Sequence, residues 1–154
     1  MRMKHVENRN RFSCFLACIE SFMGSKGVTC TQEEIIRRYP DLCKVVLDGN
    51  GKVLHGVVPH GQESALCARL GLHYDEVAKS SSVEGICPSL EEEKNYIIGI
   101  TRTPDQMGNP RMHSVLYDSF DESQGILVMD PDQGHKALGK DYSDIVEIKI
   151  FEIS

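Results

Sequence analysis

The sequence predicts an α+β fold, with helices first and an antiparallel sheet after them. Three observations carry that expectation. Through the N-terminal half, apolar residues recur at spacings of three and four, as at Phe15, Leu16, Ile19, Phe22 and Met23, the period of an amphipathic helix. Beyond residue 95 the pattern changes to short apolar runs and to strict alternation, as in 145–150, the period of strands. Helices and strands are segregated along the chain rather than alternating, which separates α+β from α/β. A length of 154 residues makes one domain over 1–154 the natural expectation and allows a sizeable core.

The first helix is expected over 13–24. Ser13 is placed to cap its start, and Gly24 stands where a left-handed C-terminal cap is expected. Cys14 falls in the first turn, where free N–H groups and the helix dipole favour a thiolate. Thr31 with Glu34 three residues later forms a capping box for a second short helix, which Pro40 stops. Apolar runs at 44–47 and 52–58 flank Asp48, Gly49, Asn50 and Gly51, which is hairpin chemistry. Residues 61–71 read as a third helix closed by Gly71, 79–88 as a serine-rich loop, and 89–92 as a weakly capped helical turn.

The second half reads as sheet. Residues 96–101 are apolar on both sides, as a central strand requires, and 102–111, with two prolines and Gly108, form a long loop. Strands at 112–117 and 125–130 make an antiparallel hairpin through 118–124. The last strand, 145–150, alternates apolar and charged residues and is expected to be half-buried.

Composition excludes several roles. The net charge of −6, with acids and bases intermixed, argues against nucleic acid as a partner. The polar first eleven residues hold no apolar core of a signal peptide, and nowhere do 18 apolar residues run together, so no membrane span is expected. Six irregularly spaced cysteines then read as reduced thiols, in a cytoplasmic setting or in a protein secreted without a cleavable signal.

The chemistry begins with the hairpin. His113 opens one strand and Asp130 closes the next, so residue 113 is expected roughly opposite 129 or 130. If the first helix lays its apolar face on this sheet, Cys14 approaches the same end. The arrangement is thiol, imidazole and carboxylate, that is nucleophile, base and orienter. Such pairing can lower a thiol pKa from ~8.5 into the range ~3.5–7.5.

Three pieces of sequence resemble the papain-like cysteine peptidases, and within them the bacteriocin-processing peptidases that cut leader peptides for export. The first is 8–18, similar to a motif of Gln, five residues, then Cys-Gly-x-Ala. The second pairs 96–100 with 112–116 around His113, and the third is the apolar run 126–130 ending in Asp130-Pro131 with Gly134 nearby. The resemblance spans most of the chain. It implies a papain-like fold, with the Cys-bearing helix packed against the C-terminal antiparallel sheet. It also implies a Cys14–His113–Asp130 triad, an acyl-enzyme, a peptide or protein substrate, and no cofactor. Two departures stand out. Asn8 occupies the position of the family's oxyanion glutamine, with Asn10 as the other amide within reach, and Phe15 replaces its glycine. The 44–58 hairpin falls where the family has helix.

Other readings remain open at this level. A hydrolase of this kind could be a stand-alone processing peptidase or a delivered effector or toxin. The same scaffold serves acyltransferases and deamidases, and an inactive relative would be a binding module. Cys14 and Cys18, four apart, could share a metal with histidines, but no CxxC or HxxxH pair is present, and none is expected to bind one. Cys18, Cys30, Cys43, Cys67 and Cys87 read as structural thiols. The acidic turn after Asp130 lacks the glycine that a calcium loop needs at its sixth position, where His135 stands.

Overall fold

The computed structural model describes residues 3–7, 14–47, 50, 53–57, 61–104, 106–108 and 111–154. Ser13, Asn8, Asn10 and the hairpin-turn residues Asp48, Gly49 and Gly51 lie outside that set.

Helix α1 (Cys14–Ser25) buries Phe15, Leu16, Cys18, Ile19 and Phe22, the face that its periodicity predicts. It ends later than expected. Gly24 is helical, and the left-handed residue is Gly27, at φ +80°. The Gly27 and Val28 N–H groups reach back to the Gly24 and Met23 carbonyls at 3.0 Å each, the paired bonds of a Schellman cap. Helix α2 (Gln32–Arg38) starts as predicted, with Thr31 Oγ1 accepting from the Glu34 N–H at 3.2 Å. Its acids lie in the first turn and its arginines in the last, complementing the dipole. Strands β1 (Lys44–Leu47) and β2 (Val53–Val57) pair antiparallel as the expected hairpin. Helix α3 (Glu63–Arg69) is closed by Gly71 at φ +76°.

The main sheet is larger than the sequence predicts. It comprises β3 (Tyr74–Ser80), β4 (Asn95–Arg102), β5 (Arg111–Asp121), β6 (Gly125–Asp130), β7 (Gly134–Ala137) and β8 (Ile145–Ile153). Their order is β3-β8-β4-β5-β6-β7, antiparallel throughout. β3 runs into the stretch expected to be a loop, and a short helix α4 (Val83–Ile86) follows it. As an edge strand with Asp75, Glu76 and Lys79 exposed to solvent, β3 lacks the apolar alternation that marks a half-buried strand. The capped turn expected at 89–92 is instead a 3-10 turn at Cys87–Ser89. β7 and helix α5 (Leu138–Asp141) were not anticipated, because four residues are too short for a period to register. β8 lies between β3 and β4 and not at an edge.

Both faces of the sheet are covered. On one, α1, α2 and α3 pack against Ile97, Leu116, Met129 and Ile153. On the other, Ile98, Ile100, Val115, Val128, Ile148 and Ile150 meet Ile86, Leu138 and Tyr142. The β4–β5 register, Ile97 opposite Leu116 and Ile98 opposite Val115, assigns alternate residues to the two clusters. That is why β4 is apolar on both sides.

The N-terminal segment is tied down at three points. Met3 N–H donates to Asp118 (2.7 Å), Ser21 Oγ to the Lys4 carbonyl (2.6 Å), and the buried Gln32 amide to the Glu7 carbonyl (2.9 Å).

Candidate active site

Cys14 is the first residue of α1 and His113 the third of β5, while Asp130 ends β6. The hairpin register differs from expectation. Met129 pairs with Leu116, with an irregularity between Tyr117 and Ser119, so His113 is not directly opposite residue 129 or 130. Its cross-strand partner is Ile100 of β4. Ile100 and Val128 lie in the same cluster, so alternation puts His113 and Asp130 on a common face. They meet on a diagonal, His113 Nε2 to Asp130 Oδ1 at 2.8 Å.

Asp130 is fully buried and surrounded by donors. Oδ1 also accepts the Asp132 N–H at 2.8 Å, and Oδ2 accepts the Tyr142 hydroxyl. Burial alone would push this carboxyl up. The hydrogen bond and positive charge of His113, then the Tyr142 hydroxyl and the Asp132 N–H, outweigh it and hold the pKa below the ordinary 3.8. His113 is the mirror case. Burial opposes its charge, but hydrogen bonds to Asp130 and to Cys14, and the negative charge of both, raise it to about 10. With Nε2 committed to Asp130, Nδ1 is the nitrogen left for Cys14. Asp132 Oδ2 lies 3.8 Å from that same nitrogen.

One turn along α1, Cys18 is fully buried. Burial, with Cys14 and Asp130 nearby, raises its thiol well above the ordinary range. Burial likewise raises Cys30 and Cys43, and pushes Cys67 up to about 12. All six cysteines are free thiols, four of them buried.

Cys14 and His113 line a cavity of about 650 Å³. Part of its lining is one face of the sheet, with Glu147, Lys149 and Phe151 at alternate positions on β8, Gly99 and Thr101 beside them, and Met112 and Ser114 beyond. Helix α1 contributes Cys14 and Phe15, and the start of α3 contributes Glu63 and Ser64. Phe15 does not plug this space. It is only 6% exposed and meets Tyr74 edge-on, with centroids 5.6 Å apart, and Tyr74 stacks on Phe151 at 4.8 Å. The residue that departs from the resemblance is thus built into an aromatic wall.

The oxyanion candidate Asn8 falls outside the described residues, immediately after the tethered Glu7. Among the described residues, His113, Asp130 and Asp132 bring ligand-type atoms within 4.8 Å of one another. Both Asp130 oxygens already accept protein hydrogen bonds, so the cluster is a hydrogen-bonded relay as it stands. Tyr142 and the Asp132 N–H were invisible in the sequence. Tyr142 follows the unanticipated α5, and no local pattern joins a tyrosine to a carboxylate twelve positions earlier.

A helix-borne thiol facing an imidazole–carboxylate pair on an antiparallel sheet is the arrangement of the papain-like peptidase fold, and this chain has that fold. Among solved structures it is similar to the peptidase domain of Streptococcus ComA, a bi-functional ABC transporter involved in a quorum-sensing pathway. The TM-score is 0.59 at 11% identity, covering 98% of this chain and 96% of that one. No protein-family model matches the sequence, and no curated protein matches it.

Proposed function

We propose that this chain is a cysteine-dependent acyl-transfer enzyme, a peptidase or amidase, in which Cys14, His113 and Asp130 form the catalytic triad. The observation that carries the reading is the 2.8 Å hydrogen bond between His113 and a fully buried Asp130, with His113 and Cys14 together lining an open cleft. In this reading His113 takes the Cys14 proton, and the thiolate attacks the acyl carbon of an amide. The tetrahedral oxyanion is met by the free N–H groups of the first turn of α1 and by the Asn8 amide. His113 then returns its proton to the leaving amine, giving the acyl-enzyme. Water releases the acid and regenerates the thiol, whereas an amine acceptor in place of water would make the same site a transferase. Asp130 holds the ring plane and stabilises the imidazolium throughout.

The substrate in this reading is a peptide or protein segment laid along the sheet face of the cleft. A processing peptidase is the role that the ComA likeness suggests, and a free-standing effector is the other one compatible with the site. The open cleft beside Cys14 favours turnover over a purely binding role. The test is the pH dependence of iodoacetamide alkylation at each cysteine, read by peptide mass spectrometry, in the wild type and in His113→Ala. Cys14 should react fastest of the six and lose that advantage, and its pH dependence, without His113. A Cys14 that alkylates like its siblings in both proteins removes the nucleophile, and leaves a binding domain on a peptidase scaffold.

A further inference from the structure

The triad's carboxylate is itself held by a residue from elsewhere in the chain. Tyr142 is 4% exposed, at the end of α5, with its ring packed in the second core cluster. The Arg102 guanidinium lies 5.6 Å from the ring centroid, and Arg102 is in turn fixed to Asp144 at 2.8 Å. Core packing would seat a phenylalanine ring there equally well. The hydroxyl is the part that packing does not explain, and it donates to Asp130 Oδ2, the oxygen that His113 does not use.

We propose that Tyr142 is a positioning residue for the site, the outer member of a hydrogen-bonded chain His113–Asp130–Tyr142 whose inner end lies beside Cys14. The inference rests on the function proposed above and adds a residue to it. Asp130 is shut away from water, so a carboxylate there needs donors on both oxygens to stay ionised. Oδ1 has two, His113 and the Asp132 N–H; on Oδ2 the described donor is Tyr142. The hydroxyl also blocks rotation of the carboxylate, which would carry Oδ1 away from Nε2. Through Asp130 it favours the imidazolium, and through the imidazolium the Cys14 thiolate. Tyr142 touches neither thiol nor substrate.

The experiment is the pH profile of Cys14 alkylation by iodoacetamide in the wild type, Tyr142→Phe, Asp130→Asn and the double variant. Circular dichroism serves as the check on folding. Tyr142→Phe should move the acid edge of the profile to higher pH. On that edge it should slow alkylation about tenfold to a hundredfold, the worth of one hydrogen bond to a charged group. In the Asp130→Asn background the same change should do little, because no anion is left to hold. A Tyr142→Phe profile that superimposes on the wild type, while His113→Ala removes the advantage of Cys14 over the other thiols, overturns the Tyr142 role and leaves the triad standing. A wild-type Cys14 with no such advantage overturns both. Should Tyr142→Phe fail to fold, the wild-type protein decides by NMR. A slowly exchanging, downfield Tyr142 hydroxyl proton that disappears in Asp130→Asn supports the role, and a freely exchanging one overturns it.

Discussion

His113 is the residue whose charge state governs the site, and its shift has a definite sign. Its folded pKa of about 10 lies above the ordinary 6.5. The stabilisation from its protonated form is therefore complete below about pH 6.5 and is lost as pH climbs through about 10. Asp130 runs the other way. Its lowered pKa stabilises the fold above the ordinary carboxylate range, a contribution lost as pH falls through the folded value. Urea unfolding should accordingly find the wild type losing stability relative to His113→Ala between pH 7 and pH 10. A constant difference across that interval would mean that the imidazolium is not held as described. Much of this residue-level chemistry was legible beforehand. Cys14, His113 and Asp130 could be named because a helix start and two strand ends are local features. Tyr142 could not be named, since its contact with Asp130 is made by the turn of a segment that has no periodic signal of its own.

At the scale of elements, α1 is both core and mount. Leu16 and Ile19 are fully buried on it, between the helix and the sheet residues Ile97, Leu116 and Met129. Leu16→Ala should cost about 2–5 kcal/mol and also slow Cys14 alkylation, because the packing it removes sets the height of the thiol above the sheet. Thr31→Ala removes only the cap of α2, at about 1 kcal/mol, and should leave Cys14 reactivity unchanged. Measuring stability and alkylation on both variants separates the two. Equal slowing of alkylation by both would mean that the site responds to global stability and not to the seating of α1. β5 and β6 show where element-level reading falls short. Their existence and order were legible from two apolar runs and a connection. The turn was not: β5 runs on to Asp121, which pairs with Gly125, and this longer strand shifts the register so that the face-to-face pair expected at 113 and 129 or 130 meets on a diagonal.

For the molecule as a whole, two hydrophobic clusters sandwich one antiparallel sheet, and no disulfide links them. Reductant should leave the thermal midpoint unchanged, and a drop on adding it would show that thiols pair in solution. No helix among the described residues is long and apolar enough to cross a membrane. The α+β layout and the helix-on-sheet packing follow from patterns that need only a few neighbouring residues, so the sequence alone determined them. It also placed Cys14 at a helix start and His113 and Asp130 at the ends of two neighbouring strands, which is as far as local patterns reach. The tertiary structure decided the rest. It set the six-strand order with β8 between β3 and β4, because pairing between distant strands is a matter of backbone hydrogen bonds that side-chain patterns barely record. It set Phe15 into a wall with Tyr74 and Phe151, leaving the cleft open, since the direction of an aromatic ring depends on partners far along the chain. And it brought Tyr142 onto Asp130, because a buried carboxylate takes its donors from whatever the fold delivers.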